Sequence, residues 1–361
     1  MKPIQVTLNL LGGGDTEFIK PNVSHCIEEN EVHYSPLIDY SKTYLTFEAL
    51  SDDTHLYFRS TRAGESLTIS ASSDNGKTWN EYISSNSDNN NEGTLIATLM
   101  KGQKVMIKGN IFTPYTARGY SRFNGLEDDG SLILYGNIMS LAYGDDFIGK
   151  TSMKKTVQEP IYEYDETTGT EVIVGYEDVE ENICFAWIFE TIRNLVSAEN
   201  LILPADELYM RGSTGAYEGM FHNCINLVKA PQLPATTLAG ACYDSMFYEC
   251  TSLTTAPELP ATTLADGCYQ VMFRGCTNLI NAPELPATEL AEYCYGNMFR
   301  GCTNLNYIKA MFTTTPSTNY TSNWVNGVAT SGTFVKNSAA EWDVSGVNGI
   351  PNGWTVETAT A

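Results

Sequence analysis

Residues 256–279 read Ala-Pro-Glu-Leu-Pro-Ala-Thr-Thr-Leu-Ala-Asp-Gly-Cys-Tyr-Gln-Val-Met-Phe-Arg-Gly-Cys-Thr-Asn-Leu, and the landmarks of this stretch return at a constant interval. Phe221, Phe247, Phe273 and Phe299 recur with one fixed period, each directly after a Met. Three residues beyond each Phe comes Cys224, Cys250, Cys276 or Cys302, and three further on Leu227, Leu253, Leu279 or Leu305. Leu-Pro-Ala recurs at 203–205, 233–235, 259–261 and 285–287. A period of this length marks units that cannot bury their apolar faces singly and must stack. Within one copy Leu264, Cys268, Tyr269, Met272, Phe273 and Cys276 follow one another at spacings dominated by three and four, which predicts one face of an α-helix of about three turns. Thr236, Thr262 and Thr288, with Asp206 in an earlier copy, stand where such a helix would be capped. Gly275, Gly301 and Asn223 stand where a left-handed residue would stop it. The runs 253–256 and 279–282, cut by Pro257 and Pro283, predict short strands. Strands stack ~4.8 Å apart and helices need ~8–10 Å, so the expected shape is an arc with strands on its concave side and helices on its convex side. Ile188, Phe189, Ile192 and Leu195 read as a degenerate leading copy, with a longer step from Leu195 to Leu227 that leaves room for small insertions.

The Phe-x-x-Cys-x-x-Leu core followed by a short strand and Pro resembles the BspA-like class of leucine-rich repeats, common in gut Bacteroides. The version with Gly-Cys-Thr-Asn-Leu at 275–279 is similar to proteins encoded by Bacteroides and by phages that infect them. The likeness reaches Tyr44-Leu45-Thr46-Phe47-Glu48-Ala49-Leu50, Gly136-Asn137-Ile138-Met139-Ser140-Leu141, Gly332-Thr333-Phe334-Val335-Lys336-Asn337 and Gly353-Trp354-Thr355-Val356, and leaves out 1–40 and 154–183. The resemblance implies a leucine-rich-repeat solenoid, recognition rather than catalysis, and no fixed ligand. It implies a virion-exposed phage fibre or decoration protein that meets a host-surface glycan or protein. The alternative is a Bacteroides cell-surface or secreted adhesin.

Composition narrows the partners. Lys plus Arg is 21 against 43 Asp plus Glu, a formal charge of −22 over 361 residues. Such a surface repels phosphate backbones and anionic membranes, which argues against nucleic-acid binding. No run approaches the ~20 apolar residues of a membrane helix, so membrane insertion is not expected. Met1-Lys2-Pro3-Ile4-Gln5-Val6-Thr7-Leu8-Asn9-Leu10-Leu11 alternates like a first strand and lacks the unbroken apolar stretch of a signal peptide. Of nine cysteines, eight lie beyond residue 183 and seven of those recur at repeat positions, which predicts buried thiols rather than a disulfide framework.

The expected organisation is an α+β multidomain chain. Residues 1–40 form an N-terminal β segment, a candidate dock for other virion proteins. Residues 41–153 form a β-sandwich-like domain, with strands at 44–50, 56–60, 67–70, 94–99 and 104–108. An acidic hairpin or linker spans 154–183, turning at Thr167-Thr168-Gly169. The solenoid covers 184–310, and a small β cap with Trp324, Trp342 and Trp354 covers 311–361. Fibre proteins are often trimers, so a homo-oligomer is considered, although no heptad signals one.

Candidate chemistry is sparse. Ser72-Ser73-Asp74-Asn75-Gly76-Lys77-Thr78-Trp79 matches the Asp-box pattern of sialidase-type propellers, where the box is a structural hairpin. One copy makes no propeller, so a glycosidase is the remote alternative. His25, His33, His55 and His222 show no metal-ligand spacing, and His25 beside Cys26 would point to the opposite strand face. Gly12-Gly13-Gly14-Asp15 is a turn, since no helix pattern follows, and Asp128-Asp129 and Asp145-Asp146 lack an EF-hand's alternation. No catalytic residue, metal or cofactor is expected. The candidate binding surface is the concave strand edge: Lys229, Thr255, Asn281 and Tyr307 in one row, with Gln232, Glu258 and Glu284 beside it.

Overall fold

A computed structural model describes residues 38–60, 67–84, 93–111, 121–165, 167–204 and 207–359, together with two short strands, β1 (Ile27–Glu28) and β2 (Glu31–Val32). Those two strands pair antiparallel with Ile27 opposite Val32, inside a unit (residues 1–39) separate from the compact unit of residues 40–361. The expectations placed on residues 1–26, on His33, on Asp206 and on most of the polar loop 84–93 lie outside the described residues.

In the larger unit the strands run β3 (Leu45–Ala49), β4 (Thr54–Ser60), β5 (Thr68–Ser72), β6 (Asn80–Ile83), β7 (Thr94–Leu99), β8 (Lys104–Gly109), β9 (Ser121–Asn124) and β10 (Leu132–Asn137). A four-residue helix, α1 (Ser140–Tyr143), follows. Next come β11 (Lys154–Asp165), β12 (Thr170–Asn182), β13 (Leu195–Ile202), β14 (Tyr307–Ala310), β15 (Thr333–Lys336) and β16 (Thr355–Thr358). Six strands form one sheet in the order β13-β10-β3-β8-β5-β6, and three form another in the order β7-β4-β9. Leu56, Tyr57 and Phe58 of β4 and Leu45, Thr46 and Phe47 of β3 are all buried. The two sheets meet through aromatic rings: Phe123 of β9 lies 5.2 Å from Phe47 and 5.2 Å from Phe58. Phe189 of the leading repeat copy adds itself to this group at 5.8 Å from Phe123.

Among its described residues the repeat stretch contains no α-helix, and this overturns the expected α+β leucine-rich-repeat solenoid with strands inside and helices outside. An α-helix joins each N–H to the carbonyl four residues back. Between 241 and 250 the N–H groups divide instead into two alternating sets. Those of Asp244, Met246, Tyr248 and Cys250 close turns onto Ala241, Tyr243, Ser245 and Phe247, three residues back. Those of Tyr243, Ser245, Phe247 and Glu249 reach the carbonyls of Cys268, Gln270, Met272 and Arg274 in the following copy. Every donor in the run is satisfied, half of them between copies. A left-handed residue every four positions is what turns the chain: Ala241, Ser245 and Glu249 have φ of 51°, 56° and 57°. The same positions hold Gly267, Val271 and Gly275 in the next copy and Tyr293, Asn297 and Gly301 in the one after, all at positive φ. The glycines and asparagines expected to stop a helix are therefore steps of a staircase of turns.

Stacking then needs no helical spacing. Phe221, Phe247, Phe273 and Phe299 lie over one another at 5.7, 5.6 and 5.9 Å, nearly parallel. Tyr217, Tyr243, Tyr269 and Tyr295 do the same at 5.8, 5.9 and 6.1 Å. These intervals are far below the ~8–10 Å between packed helices, so the reason for a strand-inside, helix-outside arc disappears. The larger unit is nearly all β and turn.

The strand side of the copies extends the larger sheet. β13 pairs parallel with β10, and Ser197 of β13 bridges in parallel to Lys229, which bridges to Thr255. Asn281 bridges to Tyr307 of β14, and β14, β15 and β16 continue in parallel register. One core follows this path, from Leu45 through the Phe, Tyr, Cys and Leu rows to Trp354. At its C-terminal side Trp324 packs 6.1 Å from Phe299, and the indole N–H groups of Trp324, Trp342 and Trp354 donate to the carbonyls of Gly349, Phe312 and Ala329.

Candidate functional site

The repeat-core residues are closed to chemistry. Phe221, Cys224, Leu227, Phe247, Cys250, Leu253, Phe273, Cys276, Leu279, Phe299, Cys302 and Leu305 are all fully buried. The thiols serve the packing. Cys224, Cys250, Cys276 and Cys302 each donate from Sγ to the carbonyl of Phe189, Phe221, Phe247 or Phe273 one copy back, at 2.9–3.1 Å. A small side chain with a weak donor fits a buried spot beside such a carbonyl. Burial pushes the Cys224, Cys242, Cys294 and Cys302 thiols up to about 12, and those of Cys250, Cys268 and Cys276 well above their ordinary value. Nucleophilic or redox work needs the thiolate, which these environments suppress.

The Asp box is a satisfied turn. Asp74 Oδ1 accepts from the Lys77 and Thr78 N–H groups and from Ser72 Oγ, while Oδ2 accepts from Thr78 Oγ1. Those bonds, led by the one from the Thr78 N–H, hold its carboxyl well below the usual range. Trp79 folds beneath, donating to the Gly76 carbonyl, packing 5.1 Å from Tyr44, with Lys108 Nζ 4.2 Å over its ring. Asp129 is engaged by His55 Nδ1 at 3.0 Å, and Asp145 by Lys108 Nζ and Tyr44 OH, each at 2.7 Å. Among the described residues no group of three His, Cys, Asp or Glu is placed to hold a metal ion, and no helix is long and apolar enough to cross a membrane.

His222 is half-buried between Trp187 and Tyr248, at 5.3 and 4.6 Å, with Arg274 over the Tyr248 ring. Its Nδ1 lies 3.5 Å from Glu190, which also pairs with Arg122. Burial pulls the imidazole pKa down, against Glu190, which raises it. These contacts clamp the first copy to β9.

The polar row is assembled and open. Lys229, Thr255 and Asn281 are exposed and Tyr307 half-buried; Lys229 bridges in parallel to Thr255, and Asn281 to Tyr307. Gln232, Glu258 and Glu284 are exposed beside them. Leu259 and Leu285, with Pro257 and Pro283, are buried, so Glu258, Pro260 and Glu284 stand out from the adjoining loops. A cleft of about 390 Å³ opens there, lined by Glu258, Leu259, Pro260, Glu284 and Pro286. Two residues absent from the sequence-derived row extend it: Glu199 pairs with Lys229 at 2.7 Å, and Lys309 with Glu284 at 3.0 Å. The longer step that carries Leu195 onto Leu227 carries Ser197 onto Lys229, and Glu199 two residues on reaches the Lys229 ammonium. Comparison with protein-family models, with curated proteins and with solved structures returns no match for this chain.

Proposed function

We propose that this chain is a non-catalytic recognition protein that binds a host-surface glycan along the polar row. The supporting observation is the set of exposed Lys229, Thr255 and Asn281 with half-buried Tyr307, bridged in the pairs Lys229–Thr255 and Asn281–Tyr307 beside the Glu258–Glu284 cleft. Amides, hydroxyls and carboxylates repeating at the strand interval of ~4.8 Å match an extended chain of hydroxyl-rich units. A net charge of −22 selects against acidic polymers, so a neutral or amino-sugar glycan is the ligand class. The suppressed thiols and the fully engaged Asp74 carboxylate support binding without turnover. The repeat's likeness to proteins of gut Bacteroides and their phages supports a virion-exposed role as a fibre or decoration protein.

A glycan array probed with the full chain tests the ligand. The expected result is binding to neutral or amino-sugar glycans that falls at least tenfold in Thr255→Ala/Asn281→Ala, with no hydrolysis of bound glycans. Binding only to a host protein, or unchanged glycan binding in the variant, would overturn the reading. Mass spectrometry of purified phage particles tests the location, and absence of the chain from particles would remove that part.

A further inference from the structure

In an Asn-Gly pair the backbone nitrogen readily attacks the preceding side-chain amide, because no Cβ shields that nitrogen. The chain holds five such pairs: Asn75-Gly76, Asn124-Gly125, Asn326-Gly327, Asn348-Gly349 and Asn352-Gly353. The attack requires the linking peptide to rotate. A hydrogen bond on its N–H, on its carbonyl or on the Asn side chain therefore opposes it.

Four of the pairs are held. The Gly76 N–H donates to Ser72 Oγ at 2.9 Å inside the Asp-box turn. Asn124 is buried in β9, opposite Tyr57. The Asn326 carbonyl accepts from the Gly301 N–H at 2.8 Å, as part of the staircase of turns. Around Asn348, Oδ1 accepts from the Asn323 N–H and the carbonyl from Thr321 Oγ1, both at 2.7 Å, while the Gly349 N–H donates to the Gly346 carbonyl at 3.0 Å.

Asn352-Gly353 differs. Both residues are exposed, and among the described residues neither the Asn352 side chain nor the peptide joining the two has a hydrogen-bond partner. They are the central residues of a turn closed by the Trp354 N–H on the Pro351 carbonyl at 3.3 Å, with Gly353 at φ 83°. An exposed turn tip without such bonds opens at little cost in free energy.

We propose that Asn352 is a site of spontaneous self-modification, deamidating through a succinimide, and that the isoaspartyl product loosens β16. The Gly353 nitrogen, after giving its proton to hydroxide, bonds to Asn352 Cγ; the Cγ–Nδ2 bond breaks and Nδ2 leaves as ammonia. Water then opens the cyclic imide. Opening at Cγ gives Asp. Opening at the backbone carbonyl carbon gives isoaspartate, in which the chain runs on through Cβ and Cγ. Either product adds a negative charge to a chain already at −22. Isoaspartate also inserts an extra main-chain atom between Pro351 and Trp354. Spacing matters there, because the Trp354 indole donates to the Ala329 carbonyl at 2.8 Å and the Thr355 N–H to the Gly332 carbonyl at 2.9 Å, fixing the start of β16. β16 is an edge strand with every residue exposed, so little else holds it. This inference stands apart from the glycan reading.

Peptide mapping by mass spectrometry, after incubating the folded full chain at mildly alkaline pH, tests the site. The expected result is a gain of about 1 Da on the peptide carrying Asn352, with ammonia released, at least tenfold faster than at any other Asn-Gly pair. In urea that preference should disappear, since the bonds protecting the other pairs are gone. Asn352→Gln should abolish the modification and leave the urea midpoint unchanged. Gly353→Ala is the poorer variant, because a Cβ there would lie 3.1 Å from the Thr330 carbonyl at a positive φ. In the isoaspartyl fraction, separated by anion exchange, amide hydrogen exchange over 355–359 should be at least tenfold faster than in the parent. An unmodified Asn352, another Asn-Gly pair that reacts as fast in the folded chain, or a preference that persists in urea overturns the proposal. Unchanged exchange over 355–359 overturns its second half.

Discussion

Phe247→Ala probes the ladder at its centre. The Phe247 ring is fully buried and lies between Phe221 at 5.7 Å and Phe273 at 5.6 Å, tilted by only 3° and 10°. Removing a buried Phe ordinarily costs about 3–5 kcal/mol, from lost transfer free energy and the cavity left behind. Here two rings lose a stacked neighbour, each pair carrying about 0.5–1.5 kcal/mol beyond area burial. The hole also cannot collapse easily, because the backbone of Phe247 is committed on both sides. Its N–H donates to the Met272 carbonyl, and its own carbonyl accepts from the Cys250 N–H and Cys276 Sγ. The expected loss is therefore in the upper half of the range, about 4–5 kcal/mol. Urea unfolding followed by tryptophan fluorescence and by circular dichroism measures it, with Ile280→Ala as the control. Ile280 is 48% exposed, and its change should stay within about 0.5 kcal/mol. Because one core runs from Leu45 to Trp354, both probes should report the same shifted transition. A loss below about 1.5 kcal/mol for Phe247→Ala would refute the reasoning that the stacked row holds the copies together.

The turns and the buried groups carry further expectations. Val271 is a β-branched residue at φ 59°, where sibling copies have Gly219 and Asn297, so Val271→Asn should raise stability by about 1 kcal/mol in the same urea assay. Gly219→Ala should lower it by about 2–4 kcal/mol, since a Cβ there would meet the Trp187 ring at 2.3 Å on top of a positive φ. Burial raises the Asp244 carboxyl to about 6, so the folded state takes up a proton before the unfolded chain does as pH falls. That group's contribution to stability consequently improves on going from pH 7 to pH 5, and Asp244→Asn should add about 1–2 kcal/mol at pH 7 and flatten the slope of stability against pH between 4 and 6. A thiol-reactive chromogenic disulfide at neutral pH should modify none of the eight buried cysteines from Cys184 to Cys302 until urea unfolds the chain, as peptide mapping would reveal.

The residues themselves made much of this arrangement legible. Period-two alternation in Leu45-Thr46-Phe47-Glu48-Ala49 and Lys104-Val105-Met106-Ile107-Lys108 reads as strand without coordinates. The parallel neighbours Lys229 with Thr255 and Asn281 with Tyr307 were also legible, because each pair is one period apart. The helix was not refutable by apolar spacing. Three positions four apart, such as Cys242, Met246 and Cys250, drift by only about 80° round an α-helix, still inside the ~100° of an apolar stripe. A finer signal was present: Gly or Asn at 219, 223, 267, 275, 297, 301, 323 and 327, a recurrence of left-handed-tolerant residues that no helix interior accepts.

Taken alone, the order of residues determined the repeat interval, which side chains disappear into the interior, and where polar groups line up outside. Tertiary structure decided the backbone that carries them. The N–H of Phe247 bonds to the Met272 carbonyl in the next copy, and β13 lies along β10 with Leu195 opposite Leu132. A donor's choice between a carbonyl four residues back and one in the neighbouring copy depends on whether that copy is there. Local propensity cannot register this, because the competing bond exists only once the chain has folded upon itself.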